Sequence, residues 1–401
     1  MRKECRGRRE FLVGLAGMAA ALRPRSGQAG SRWSSLAAQG RDAATRARVR
    51  PEFLYIGSFT NAQRGHGDGL TVHRRKPGSD AWEQIQLVND LADPSFVIVD
   101  RAGRHLYSAH GDGTEVSSYA IDQATGRLTV LNRQPTGGGN GVHLAIDATG
   151  RFLALANYGT GSLAVFPIDA NGSLAPRSDL ATFSGTPGPH RTQQESSHPH
   201  HCPFDRSGRF IVVPDKGLDK VFVYRLDTAR GTLTPGAPPH VATRSGAGPR
   251  HVDFHPARPF AYVVNELDST VATYQFEPDK GTMKPIQVVT TLPTSHTGDN
   301  TGAEIAVAPS GRFVYTSNRG HDSIAIFAID AAAGTLTPVG WEPTQGRTPR
   351  FFGIDPSGSE LYAANQNTDT VVIFRVNQNT GKLTPAGQTI KVGTPSTIAF
   401  R

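Results

Sequence analysis

Cysteine is almost missing from this chain. Only Cys5 and Cys202 occur among 401 residues. Cys5 lies in the leader, so the mature chain holds one thiol and no disulfide framework or cysteine zinc cluster is possible. Long apolar runs are missing too. The longest apolar stretch, Phe11–Leu22, is too short and too rich in glycine and alanine to span a bilayer. There is no Gly-x-Ser-x-Gly elbow, no P-loop and no dinucleotide fingerprint. The glycine-rich "TGGGNG" (136–141) leads into a strand pattern, not a helix, so it is a loop and not a phosphate cradle. No helical pattern longer than two turns occurs after residue 50. The net charge is +8, but the basic excess is concentrated in the first 50 residues and the body is close to neutral. With no interleaving of basic and aromatic residues in that body, a nucleic-acid partner is excluded.

Glycine (44) and proline (28) are abundant instead, which suits many short strands joined by tight turns. The N-terminus has its own logic. Arg8 and Arg9 precede Phe11, Leu12 and the short apolar stretch, a pattern similar to a twin-arginine export signal over residues 1–30. Residues 31–50 read as an unstructured connector. The expected location is therefore outside the cytoplasm, in the periplasm, with no membrane contact in the mature form. Retention in the cytoplasm is the alternative.

The body, 51–401, is repetitive. "FVIVDRAGRHLYSAH" (96–110), "HLAIDATGRFLALANY" (143–158), "CPFDRSGRFIVVPD" (202–215), "VDFHPARPFAYVVNE" (252–266), "IAVAPSGRFVYTSNR" (305–319) and "FGIDPSGSELYAANQ" (352–366) share one plan. Each is an alternating strand, a tight turn and a second alternating strand. Asp147, Asp205, His255 and Asp355 are the turn formers. A second hairpin follows, as in "DKVFVYRLDTARGTLTP" (219–235) and "DSIAIFAIDAAAGTLTP" (322–338). Four antiparallel strands at a period near 50 residues make a propeller blade. Six units are complete. The seventh is split: "TPSTIAF" (394–400) supplies a first strand and "FLYIGSFTN" (53–61) a second. The expected fold is all-β, a seven-bladed propeller of four-stranded antiparallel blades closed by pairing of the N- and C-terminal strands. A ring without open edges needs no partner chain, so a monomer is expected.

In such a ring, residues entering the first strands and leaving the second strands converge on the channel mouth. His143, His198, His200, His201, Arg250, His251, Glu304 and Arg350 stand before first strands. Asn157, Tyr158, Asp215, Asn265, Glu266, Asn318, Arg319, Asn365 and Gln366 stand after second strands. Histidine, glutamate and arginines facing one wet mouth can bind an anion, activate water and hold an oxyanion. Adjacent histidines of "HPHHC" (198–202) point to opposite faces of a strand, which argues against a dedicated metal site. Cys202 reads as buried filler.

"GPRHVDFHP", "YVVNEL", "YTSNRGHDSI", "GRTPRFFGID" and "ANQNTDTV", in this order, resemble the seven-bladed propeller lactonases. That family includes propeller-type 6-phosphogluconolactonases and fungal carboxymuconate lactonizing enzymes. The resemblance spans about residues 52–401. It implies catalytic residues His200, Arg250, Glu266 and Arg319, with His198 and His201 as rivals for the histidine. Substrate contacts are then expected from His143, His198, His251, Asn265, Glu304, Asn318 and Arg350. No cofactor or metal is implied. The implied reaction is hydrolysis of a sugar lactone or related anionic lactone, with Glu266 or His200 activating water and an arginine holding the oxyanion. An exported chain would meet few phosphorylated lactones, so the substrate can differ from that of the cytosolic pentose phosphate route. Lactonizing cycloisomerization and ligand binding without catalysis are the alternative readings.

Overall fold

The computed structural model describes residues 50–89 and 91–401. The twin-arginine pattern and all of the connector except Arg50 lie outside the described residues. Arg50 belongs with the body: its guanidinium pairs with Asp80 and, at 3.0 Å, with Glu360.

The described residues form seven antiparallel sheets arranged as a propeller. Blade 1 combines Pro395–Phe400 with Phe53–Ser58, Leu70–Arg75 and Trp82–Val88. Blades 2, 3, 5, 6 and 7 open on the inner strands Pro94–Val99, Gly141–Ile146, Pro249–Phe254, Thr301–Val307 and Pro349–Ile354. Blade 4 has three regular strands, beginning at Phe210–Asp215. Its inner segment pairs with that strand at two isolated bridges, Pro199 to Asp215 and Phe204 to Ile211. Pro199 and Pro203 lack an N–H, so a regular ladder cannot form there. Among the described residues the only helical element is the three-residue 3₁₀ turn Gln366–Thr368.

Ring closure follows the split-blade expectation. Leu54 faces Phe400 and Ser58 faces Pro395 across the terminal pair. The Arg401 carbonyl accepts from the amides of Glu52 and Phe53 at 2.8 and 2.9 Å.

The apolar core is distributed over the seven junctions. Each buried cluster takes side chains from two consecutive blades, as Tyr262 and Val264 of blade 5 do with Val314 and Phe327 of blade 6. A repeated lock joins them. Tyr55, Tyr107, Tyr262 and Tyr315 each donate a hydroxyl hydrogen to a glycine carbonyl in the outer turn of the next blade, Gly126, Gly172, Gly334 and Gly381, at 2.8–3.1 Å. Each of these glycines stands two residues before a leucine, Leu128, Leu174, Leu336 or Leu383. At Gly334, with φ +73°, a Cβ would lie 2.5 Å from the Phe260 ring, so both backbone and space demand glycine. The seam between blades 7 and 1 differs. There Tyr362 donates to Glu360 at 2.7 Å, and Arg75 reaches both, at 3.0 and 3.1 Å.

Candidate active site

Two repeated backbone devices build the mouth of the channel. The first is a bulge near the start of the inner strands. In blade 5 the register slips between Pro249 and His251, in blade 7 between Pro349 and Phe351, and in blade 3 between Gly141 and His143. A bulge re-aims the extra residue. Here those residues are Arg250, Arg350 and Val142. In blade 4, Pro199 pairs with Asp215 as Pro249 pairs with Asn265, which puts His200 in the equivalent place.

The second device is an Asx residue ending the second strand. Asn157, Asn265, Asn318 and Asn365 each direct their side-chain amide at a hydroxyl five residues on, in Ser162, Thr270, Ser323 and Thr370. Asp215 instead accepts from the amides of Gly217 and Leu218 at 2.9 and 3.1 Å. The side chain of this residue closes the hairpin. The next residue, Tyr158, Lys216, Glu266 or Arg319, is delivered to the mouth.

These devices leave a cavity of about 920 Å³, large enough for a sugar-sized ligand. Arg64, Lys216, Arg319 and Arg350 supply its positive charge, and His198, His200, Tyr158 and Glu266 stand among them. One wall comes from the connection before blade 4, through His190, Gln193 and Glu195. That connection explains the long interval between the turns at Asp147 and Asp205. It is pinned by Gln194, whose amide donates to the Lys216 carbonyl and to Asp219, both at 2.8 Å.

Glu266 is the hub. Its Oε1 lies 3.3 Å from both Lys216 Nζ and Arg319, and its Oε2 lies 3.1 Å from Arg250 Nε. Burial alone would raise its pKa, but Arg319, Lys216, Arg250 and Arg350 overcome this and hold it well below the usual carboxylate range. Such a carboxylate is a weak base. Arg250 sits beneath the cavity wall, 2% exposed, with NH1 donating to the Ala303 carbonyl at 2.6 Å. Burial and the neighbouring Arg319 lower its pKa to about 10, so it remains a cation. Arg319 donates to the Gly302 carbonyl at 3.1 Å. Arg350 has no ion-pair partner among the described residues. It lies over the Phe59 ring at 5.1 Å, and Arg64 lies over the same ring at 4.8 Å.

His200 lines the cavity. Its Nδ1 is 3.1 Å from His251 Nε2, and the Tyr158 ring meets it edge-on at 5.5 Å. Burial, then Arg250, Arg350 and Lys216, lower its pKa well below the ordinary histidine value, so the imidazole is neutral at neutral pH. His198 stacks on Tyr158 at 4.4 Å and donates through Nδ1 to the Tyr158 carbonyl, 3.1 Å away. His201 faces the axis, packed on His143 at 3.8 Å and His251 at 4.1 Å.

The residues expected at the mouth therefore separate by depth. His198, His200, Glu266, Arg319 and Arg350 reach the cavity. Arg250, His143, His251 and Glu304 are buried below it, Asn265 is consumed by its own hairpin, and Asn318 by its hairpin and by Thr291 of the preceding blade. Cys202 is fully buried, 3.4 Å from His143 Nδ1. Lys216 and Arg64 escape sequence reasoning. The signal for Lys216 was its place one residue past a second-strand end, the position shared by Glu266 and Arg319. Arg64 lies in the loop after Phe59, outside the repeat. Among the described residues no group of three or more His, Cys, Asp or Glu side chains is set to hold a metal.

Comparison with known proteins places this geometry in a family. Residues 53–400 match the description "Lactonase, 7-bladed beta-propeller". A 6-phosphogluconolactonase of Bacillus subtilis (strain 168) is 36% identical over 301 residues, 74% of this chain and 83% of that protein. A 6-phosphogluconolactonase of Formosa agariphila is 32% identical over 311 residues, covering 75% and 86%. The solved structure of a periplasmic gluconolactonase from Pseudomonas aeruginosa is 29% identical with a TM-score of 0.80, covering 87% of this chain and 98% of that one. The chain belongs to the seven-bladed β-propeller lactonase family.

Proposed function

We propose that the protein hydrolyses a sugar lactone or a related lactone bearing an anionic group, with His200 as general base and Arg319 as oxyanion donor. By family the chain is a 6-phosphogluconolactonase-like lactonase, a hydrolase. One observation carries the residue roles: His200 shares one cavity with Arg64, Arg319 and Arg350, and Arg350 has no ion-pair partner among the described residues. His200 takes a proton from water as its oxygen bonds to the lactone carbonyl carbon. Arg319 stabilises the tetrahedral oxyanion. The ring C–O bond then breaks, and the departing alkoxide takes the proton back from His200, so lactone and water become a hydroxy acid. Arg350, over Phe59, receives the anionic group of the substrate. Glu266 keeps Arg319 and Lys216 in place and takes no proton.

A pH-stat panel of aldonolactones with and without phosphate or carboxylate groups tests this. His200→Ala should lower kcat at least tenfold, and Arg350→Ala should raise KM for the anionic lactones with a smaller effect on kcat. Unchanged rates in His200→Ala and Arg319→Ala would overturn both residue roles, and a wild type that hydrolyses no lactone of the panel would leave a binding propeller as the function.

The chain is exported in this proposal. Support comes from Arg8 and Arg9 ahead of the short apolar stretch, and from the periplasmic location named for the Pseudomonas relative. Exchanging both arginines for lysine should move the protein from the periplasmic to the cytoplasmic fraction of a bacterial host. Periplasmic recovery at the original level would refute a twin-arginine route.

A further inference from the structure

Below the cavity a chain of hydrogen bonds leads from His200 to a buried carboxyl group that touches nothing in the cavity. His200 Nδ1 lies 3.1 Å from His251 Nε2. His251 Nδ1 lies 2.9 Å from Glu304 Oε1. That oxygen also accepts from the Ile305 amide at 3.0 Å, and the Glu304 amide is fixed on the Ser317 hydroxyl at 3.0 Å. Glu304 Oε2 is buried without a partner.

We propose that Glu304 and His251 are positioning residues that set the tautomer of His200 and so leave its Nε2 unprotonated toward the cavity. This rests on His200 being the base. The direction of every bond in the chain follows from its end. Oε1 already accepts from one N–H, so a proton on the carboxyl group sits on Oε2, and Oε1 can only accept from His251. His251 Nδ1 is then the donor. A neutral His251 must accept at Nε2. His200 Nδ1 must donate, and its remaining nitrogen, Nε2, carries the lone pair that can take a proton from water. A histidine base with a partner on its far nitrogen is oriented and tautomerically defined.

The surroundings keep the chain neutral. His251 is covered by the stacked His201 ring at 4.1 Å and by His143 at 6.0 Å, and burial with these neighbours and Arg250 lowers its pKa. Arg250, Arg350 and Lys216 act on His200 in the same sense, and the Tyr158 ring covers its edge. Burial, opposed by Arg250 and the Ile305 amide, pushes the Glu304 carboxyl up to about 8. The end group is therefore an uncharged acid at neutral pH, where an ionised one would pull a proton onto the imidazoles.

The test combines ¹⁵N imidazole shifts with kinetics on the full chain. In the wild type, His200 should show a protonated Nδ1 and a bare Nε2. Glu304→Gln keeps a carbonyl acceptor of the same shape, so it should keep that tautomer and kcat within about threefold at pH 7, while any change in rate near pH 8 disappears. Glu304→Leu removes the acceptor. It should mix the His200 tautomers and lower kcat at least tenfold with KM little changed and with the fold intact by circular dichroism. A bare Nδ1 on His200 in the wild type would overturn the proposal. So would a Glu304→Leu enzyme with unchanged kcat in a protein whose His200→Ala variant is inactive. A His200→Ala variant with full activity would instead overturn the base assignment, and the nitrogen shifts would still decide the tautomer.

Discussion

Exchanging Glu266 for glutamine should cost about 3–5 kcal/mol of folding stability and roughly a hundredfold in kcat/KM. The size follows from what the carboxylate holds. Lys216 and Arg250 are 3% and 2% exposed, and Arg319 joins them within 3.3 Å. A neutral amide would leave three close cations with no counter-charge, one of them, Arg250, sealed beneath the cavity wall. Repulsion should then drive Arg319 from the place where an oxyanion develops. The pH dependence has a definite sign. The folded carboxyl is lowered by its cations despite burial, so its stabilising contribution is present above the ordinary carboxylate pKa. It is lost only as the pH falls through the lowered value. Urea unfolding and steady-state rates on purified Glu266→Gln measure both effects. A variant as stable and as fast as the parent would remove Glu266 from the centre of the site.

Deletion of Thr394–Arg401 should abolish the single cooperative unfolding transition altogether. The lost strand carries buried Thr397, Ile398 and Ala399, and Ser396 donates to the Gly57 and Ser95 carbonyls. Without it, Phe53–Ser58 becomes an open apolar edge, a template for pairing between chains. The inner position of blade 1 is also vacated between blades 2 and 7. Calorimetry should show a broad or absent transition, and size-exclusion chromatography should show association. A sharp transition within a few degrees of the full-length protein would mean that the terminal pair contributes little to closure.

The ring was legible in the sequence because each blade repeats the same turn chemistry, and because the half-units at the two ends are complementary. The glycine of the outer turn in blades 2 to 7 has a reason visible only in the structure, the approach of an aromatic ring of the preceding blade. The mouth was legible to the level of strand ends and no further. Alternation tells which way a side chain leaves a strand. It does not tell how deep it stops. Asn265 and Glu266 are neighbours at one strand end, yet one closes a hairpin and the other enters the cavity. Arg250 and Arg350 occupy the same bulge, yet one is sealed beneath the wall and the other lines it. The difference lies in what stands beside each: Glu266 of its own blade pairs with Arg250 and also holds Arg319 of the next blade, whereas Arg350 has no ion-pair partner among the described residues. Arg64 follows from no repeat rule, since it is brought in by a loop whose amides at Thr60 and Asn61 are anchored on Asp93.

The seam between the last strand and the first also dictates an order of events during synthesis. Arg350 of blade 7 and Arg64 of the blade 1 loop face each other over Phe59 only after Pro395–Phe400 has docked. Phe53–Ser58 is made early and Pro395–Phe400 late, so a chain that lacks the later strand carries a gapped arc and an unassembled arginine pair. Completion of the ring and assembly of that pair are one closing step.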